Sequence, residues 1–468
     1  MPNDNRFPRD AWLPALAGLG WLWLGAADGV LGALLSLLPG ALLLGGGVSL
    51  LLVPGDRRIA NLAALGGVLG LLLSLPAGLL LGGAQALLLL LLSAAGATSA
   101  AGHSLRHEPI LEEVPPALPG LALSAQVAVD EALLATILLS TPIPDRSGFA
   151  RVRREMDLAR AHFEAQGWLE KPVAYHESPP PLEQPEIRPA SLPWLEYEHL
   201  SFESGFAPRE GDPGRERWLA QRANRRAHAW MLRHRDADRP WLVCVHGYQM
   251  GQPWIDWGAF PPPWLHRRLG LNLLLPVLPL HGPRTEGRRS GDGFLAADAL
   301  DSAHALAQTA WDLRRLLSWI RSQTRAPVGI IGYSLGGCAT ALVASLDDAL
   351  ACAIPGIPAV DLAGLFFHHG PIFDLQAARA SGVDEASVRE VLRVVSPLAL
   401  TPRVPRERRY LFGAVGDRLV PPLQVRDLWR HWERPRLTWY QGGHLSFRLH
   451  AAVRQLVETG LHESGLVA

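Results

Sequence analysis

Cysteine is scarce in this chain: its 468 residues hold three, Cys244, Cys338 and Cys352. Two fall in apolar, strand-like runs and one in a run of small residues with helical character. Three such residues read as small core side chains. They exclude a disulfide framework and suit a reducing compartment. Net charge is also missing, since Lys+Arg and Asp+Glu number 44 each. No broad field draws the chain to nucleic acid. There is no phosphate loop, dinucleotide fingerprint or zinc-ligand spacing, so neither a cofactor nor a metal is expected. No internal repeat stands out beyond a Leu, Gly and Ala bias.

The first hundred residues lack charge. Between Trp12 and Gly102 the only charged residues are Asp28, Asp56, Arg57 and Arg58. Residues 30–53 form an uncharged run of 24, and residues 59–81 another of 23. As a helix either would span about 35 Å, against a hydrocarbon core of about 30 Å. Residues 84–101 form a shorter run. Residues 12–27 form one shorter still, with Trp12, Trp21 and Trp23 suited to a membrane interface. Several consecutive runs exclude a simple secretory signal. Residues 1–105 are therefore expected to be a membrane region of three to four helices.

The basic residues then suggest a topology. Arg6 and Arg9 precede the first run, Arg57 and Arg58 separate the second and third, and Arg106 follows the fourth. Four crossings place all of them on one side together with the C-terminal half. The positive-inside rule makes that side cytoplasmic, giving a multi-pass membrane protein. Two or three crossings with an interfacial helix is the alternative, with Pro39 and Pro76 as candidate kinks or breaks. Asp28, at a boundary, is a poor basis for a transport role.

Residues 106–193 read as a connector. Residues 117–140 are apolar but carry Asp130 and Glu131, which suits a packed or interfacial helix better than a span. Residues 152–166 are charged and amphipathic. Residues 178–193 hold six prolines and read as an extended linker. The last domain, residues 194–468, is expected to start near Trp194, with its first strand at 195–202.

Chemistry is concentrated in that domain. Residues 328–337 read Val-Gly-Ile-Ile-Gly-Tyr-Ser-Leu-Gly-Gly. An apolar, β-branched run feeds Gly332-Tyr333-Ser334-Leu335-Gly336, the pattern G-x-S-x-G, and a helix-compatible run follows. Strand, tight turn, serine and helix lift a hydroxyl out of a sheet edge as a nucleophile. Glycine suits both flanking positions, where a Cβ would meet the neighbouring strand or helix. The pentapeptide alone is weak in a chain with 46 Gly, so its partners carry the weight. One apolar run ends in His246-Gly247-Tyr248. Another leads to Asp417 in a turn followed by Pro421 and Pro422. The last ends in Gly442-Gly443-His444.

With these four motifs in order, residues 194–460 resemble the α/β-hydrolase superfamily, esterase and lipase branch. The order Ser334, Asp417, His444 is that of its catalytic triad. The resemblance implies an α/β fold, a mostly parallel sheet with helices on both faces. The helical spacing of Leu306, Ala310, Leu313, Leu317 and Ile320 agrees with it. It implies that His444 takes the Ser334 proton and that Asp417 orients the imidazole. The implied oxyanion donors are the backbone N–H groups of Leu335 and Tyr248, with Gln249 the neighbouring choice. Asp361 is the rival acid, because some members take it from the earlier strand. His246 reads as a loop-shaping residue.

Other residues stay open. Arg284 and Arg288 follow a strand-like run, and either meet a carboxylate or phosphate on the substrate or belong to a solvated basic loop. Residues 362–395 fall where the family inserts a small cap, with Phe366 and Phe367 candidates for an acyl pocket. His368 and His369 lack a third metal ligand at a recognisable spacing.

The implied activity is that of a membrane-anchored serine hydrolase acting on carboxylic esters, lipid or lipophilic esters by proximity. Thioesters and amides use the same machinery. The alternative is a catalytically silent hydrolase-like domain serving as a membrane-bound binding module. The expected partners are the bilayer and an ester, not nucleic acid.

Overall fold

The computed structural model describes residues 12–27, 29–53, 57–235 and 238–467. Arg6, Arg9, Asp28, Asp56 and the side chains of Arg57 and Arg58, on which the topology argument rests, lie outside the described residues. The chain forms two compact units. One holds the helices up to Ser140 together with Ala414–Leu423 and Trp439–His450. The other holds Thr141–Gly413, Gln424–Thr438 and the residues from Ala451 onward.

The first unit is built on five apolar helices: α1 (Trp12–Ala27), α2 (Gly29–Leu52), α3 (Arg57–Leu81), α4 (Gly83–Arg106) and α5 (Leu121–Ser140). Helix α1 packs on α2 and α4, and α3 packs on α2, α4 and α5. Small residues allow this close approach. A Cβ on Gly18 would stand 2.3 Å from the Leu44 amide nitrogen, and one on Gly47 2.3 Å from that of Ala15. Helices that pack in lipid use such contacts because burial there brings no hydrophobic gain. Trp21 donates its indole N–H to Ser93 Oγ at 2.8 Å, satisfying both groups inside the apolar bundle.

Helices α2 and α3 continue through Pro39 and Pro76, so neither proline breaks its helix. Helices α2 to α5 are long and apolar enough to cross a membrane. Helix α1 has 16 residues and reaches only about 24 Å. The expected first crossing is thus too short, while the segment expected to be packed or interfacial is long enough. Helix α5 nevertheless buries Asp130 and Glu131 at its middle.

The second unit contains most of a nine-stranded sheet. Its strands are β1 (Glu186–Leu192), β2 (Leu195–Glu203), β3 (Arg226–Leu232), β4 (Trp241–Val245), β5 (Asn272–Val277), β6 (Val328–Tyr333), β7 (Cys352–Gly356), β8 (Tyr410–Ala414) and β9 (Arg436–Tyr440). The order is β1-β2-β3-β5-β4-β6-β7-β8-β9. The first three strands and β5 pair antiparallel, and β5, β4, β6, β7 and β8 pair parallel. Strands β4 to β8 are buried throughout, as parallel strands covered on both faces must be. This is the α/β-hydrolase fold. The three cysteines are buried and free.

The expected connector does not exist as a separate piece. Helix α5 belongs to the first unit. The helix Arg146–Ala165 buries Phe149, Val152, Met156, Ala159 and Phe163 in the core of the second. Their steps of three and four put them on one face. The second compact unit therefore begins at Thr141, upstream of the expected start near Trp194. The proline-rich stretch supplies β1, an edge strand where Pro189 is tolerated. The segment expected to be a cap forms three short helices, Leu362–His369, Ile372–Ala380 and Glu385–Leu392.

Candidate active site

Ser334 stands between β6 and the helix Leu335–Ala344, with φ 57° and ψ −117°. A non-glycine residue holds that conformation only when its surroundings force it. The constraint is visible in three bonds. Ser334 N–H donates to Gly356 O at 3.0 Å, and its carbonyl accepts from Cys338 at 3.0 Å and from Ala359 at 3.1 Å. The flanking glycines are required by space. A Cβ on Gly332 would stand 2.2 Å from Gly336 O, and one on Gly336 2.1 Å from Val245 O.

Leu335 is the first residue of its helix, so its N–H has no intrahelical acceptor. A Cβ on Gly247 would stand 3.6 Å from Ser334 Cβ, which brings the turn at Tyr248 and Gln249 alongside the serine. His246 shapes that turn. Its Nε2 accepts from Leu278 N–H at 3.0 Å, which leaves Nδ1–H to donate to Gly247 O at 2.7 Å. Burial lowers its pKa, so the ring stays neutral.

In the first unit, the turn after β8 and the turn after β9 meet. Val415 N–H donates to Tyr440 O at 3.1 Å and Gly416 N–H to Gly442 O at 3.0 Å. Across that junction His444 Nδ1 and Asp417 Oδ2 are 2.7 Å apart, both side chains almost fully buried. Asp417 Oδ1 accepts from Leu419 N–H at 2.9 Å and Val420 N–H at 2.8 Å, which fixes the carboxylate plane. With Nδ1 bound to the acid, Nε2 is the nitrogen left to exchange a proton. Burial alone would lower the His444 pKa. The charge of Asp417 and its hydrogen bond, with Asp130 adding, outweigh burial and raise it.

A residue that sequence reasoning had left in the connector joins this pair. The Asp130 carboxylate of α5 accepts from the backbone N–H of His444 and, at 3.3 Å, from that of Leu445. The available signal was a buried-type helix with two adjacent acids. No pattern named their partners.

Other candidates fall elsewhere. Asp361 caps the helix Leu362–His369 by accepting from Gly364 N–H at 2.9 Å, and it pairs with Arg389 at 2.8 Å. It is occupied in structure, while Asp417 holds the histidine. Arg284 is fully buried, and the expectation of a substrate contact fails for it. Its guanidinium donates to Val277 O and Asn224 O at 3.0 Å each and pairs with Asp312 at 2.9 Å. Arg288 is exposed in a loop shaped by Asp292, whose Oδ2 accepts the Arg288 and Arg289 N–H groups. Among the described residues no group of three His, Cys, Asp or Glu could hold a metal.

No family model matches the chain. Among curated proteins it is similar to MT2702 of Mycobacterium tuberculosis (strain CDC 1551 / Oshkosh), with 42% identity over 358 residues, 76% of this chain and 86% of the relative. Rv2627c of M. tuberculosis (strain H37Rv) is 41% identical over the same shares. The chain belongs to their family. Both relatives bear names that assign no activity. Similar solved structures include an acetyl xylan esterase from Paenibacillus sp. R4, with TM-score 0.43 and 16% identity, covering 62% of this chain and 98% of that one. Acetyl xylan esterase 1 from Thermoanaerobacterium sp. JW/SL YS485 gives 0.42 and 15%, covering 64% and 93%.

Proposed function

We propose that this protein is a membrane-anchored serine hydrolase that cleaves carboxylic esters through an acyl-enzyme on Ser334. The observation that carries the reading is the buried 2.7 Å Asp417–His444 pair in a chain whose Ser334 is held at φ 57° on a nucleophile turn. In this reading His444 Nε2 removes the Ser334 proton as Oγ attacks the ester carbonyl. The imidazolium then protonates the departing alkoxide, and water repeats the sequence to release the acid. Asp417 holds the tautomer and stabilises the imidazolium. The N–H groups of Leu335 and Tyr248 receive the oxyanion, each contributing about 3 kcal/mol in the transition state.

The long apolar helices favour a lipid or lipophilic ester as substrate, because they would hold the hydrolase at a bilayer. With α2 to α4 as crossings and α5 packed on the turns of Asp417 and His444, Arg57, Arg58 and Arg106 fall on the side of the C-terminal part, and the positive-inside rule favours the cytoplasm for it. A fluorophosphonate probe on full-length protein in detergent tests the chemistry. Wild type should label and Ser334→Ala should not. Absence of labelling in wild type, or equal labelling of the variant, removes the proposal and leaves the binding-module alternative.

A further inference from the structure

Helix α5 presents one face to the two turns that carry Asp417 and His444. Leu123, Val127, Asp130 and Glu131 occupy positions i, i+4, i+7 and i+8, which share a helix face. Leu123 Cδ1 and Val127 Cγ2 press on Gly416, where a Cβ would stand 3.0 and 3.1 Å from them. Asp130 presses on Gly443, where a Cβ would stand 2.5 Å from Oδ2. Glu131, itself buried, pairs at 3.2 Å with Arg418, the residue after the triad acid, and Arg418 also pairs with Glu108. The short helical turn that begins at His444 thus receives a carboxylate from another helix at its N-terminal amides.

We infer that Asp130 is a positioning residue for His444, holding the main chain of the general base so that its imidazole meets Asp417. The inference rests on the serine-hydrolase reading, since it assigns Asp130 a part in that same reaction. Two carboxylates then reach one histidine from two elements, Asp417 at the ring and Asp130 at the backbone. Asp417 binds the ring and fixes its tautomer. Asp130 binds the backbone and fixes where the ring stands. Both stabilise the imidazolium that forms as Ser334 gives up its proton.

The remaining polar groups around His444 are committed elsewhere. Tyr440 donates its hydroxyl to Gly443 O at 3.1 Å, His450 Nε2 lies 3.3 Å from Ser446 Oγ, and Arg418 is taken by Glu131 and Glu108. Asp130 touches neither the scissile bond nor the proton in flight, so the expected signature is a loss in turnover with substrate binding retained.

The test compares full-length wild type with Asp130→Ala, Asp130→Asn and Ser334→Ala in detergent, using fluorophosphonate labelling and hydrolysis of p-nitrophenyl butyrate from pH 5 to 9. Asp130→Ala should lower kcat by roughly tenfold to a hundredfold with KM within about twofold, the size expected from misplacing a catalytic group by about 1 Å. Asp130→Asn keeps one acceptor and the side-chain shape, and it decides the matter if the alanine variant does not fold. It should recover part of kcat. It should also move the acidic limb of the kcat/KM profile to lower pH, because the imidazolium loses one stabilising charge. A purely architectural cap would leave that limb in place. Labelled wild type with Asp130→Asn unchanged in both kcat and pH profile overturns the positioning role alone. Wild type that neither labels nor hydrolyses the ester overturns the serine-hydrolase reading and this inference with it.

Discussion

Ser334 sits in a strained backbone conformation. Its φ of 57° and ψ of −117° form a conformation that glycine adopts freely and other residues hold at a cost of about 1–3 kcal/mol. Ser334→Gly should therefore raise the thermal midpoint of the full-length protein by a few degrees while abolishing fluorophosphonate labelling, as differential scanning fluorimetry and gel readout would show. A Ser334→Gly protein less stable than Ser334→Ala would mean that the turn is not strained. His444 gives a second prediction at this scale. Its pKa is raised, and the base must be neutral to accept a proton. Activity should be absent below that pKa and rise as pH climbs through it, so the half-point of the acidic limb should lie above the usual histidine value of about 6.5. In Asp417→Asn that limb should move below it, with kcat down roughly 10⁴-fold.

At the scale of elements, what was legible in the sequence was whatever is local. A buried strand, a tight turn and a polar residue at the turn occur within a dozen positions, so Ser334, Asp417 and His444 could be picked out by pattern. Arg284 shows the limit. It follows a strand, as rim residues do, but its neighbours Asn224 and Asp312 lie 60 and 28 positions away and draw it inward. Arg284→Met should accordingly leave KM for an anionic ester unchanged. It should destabilise the fold by about 3–5 kcal/mol, because Asp312 would remain buried without its cation. A raised KM at unchanged stability, measured by steady-state kinetics and denaturant unfolding, would return Arg284 to the substrate. Strand β1 was hidden for a different reason. Its proline spoke for a linker, and only pairing of its whole length with β2 makes an edge strand of it. Asp361 and Asp417 could not be ranked by pattern either, since both are acids just after a strand. The ranking is made by hydrogen bonds, a cap and an arginine for one and the histidine for the other.

The whole molecule divides where the sequence did not. Composition drew the line near residue 194, between apolar or proline-rich segments and an evident hydrolase. Packing draws it at residue 141, because the side chains of the helix Arg146–Ala165 complete the hydrolase core. A fragment of residues 194–468 retains Ser334, Asp417 and His444, yet it lacks two sets of contacts. It loses Phe149, Val152, Met156, Ala159 and Phe163, each buried in the second unit, whose removal together far exceeds the roughly 2–5 kcal/mol that one large-to-small core change costs. It also loses Leu123, Val127, Asp130 and Glu131, which hold the turns bearing the acid and the base in the first unit. A fragment starting at 141 restores the first set and not the second. The expected ranking is therefore graded. The fragment 194–468 should fail to fold stably. The fragment 141–468 should fold but label with fluorophosphonate far more slowly than full-length protein in detergent. Supplying residues 1–140 in trans should recover part of the rate if α5 docks on the turns. Equal labelling rates for 141–468 and the full chain, measured at the same active protein concentration, would reduce the apolar helices to an anchor. A rate that depends on α5 makes them part of the enzyme, because the same helix that closes the apolar bundle holds the histidine in place.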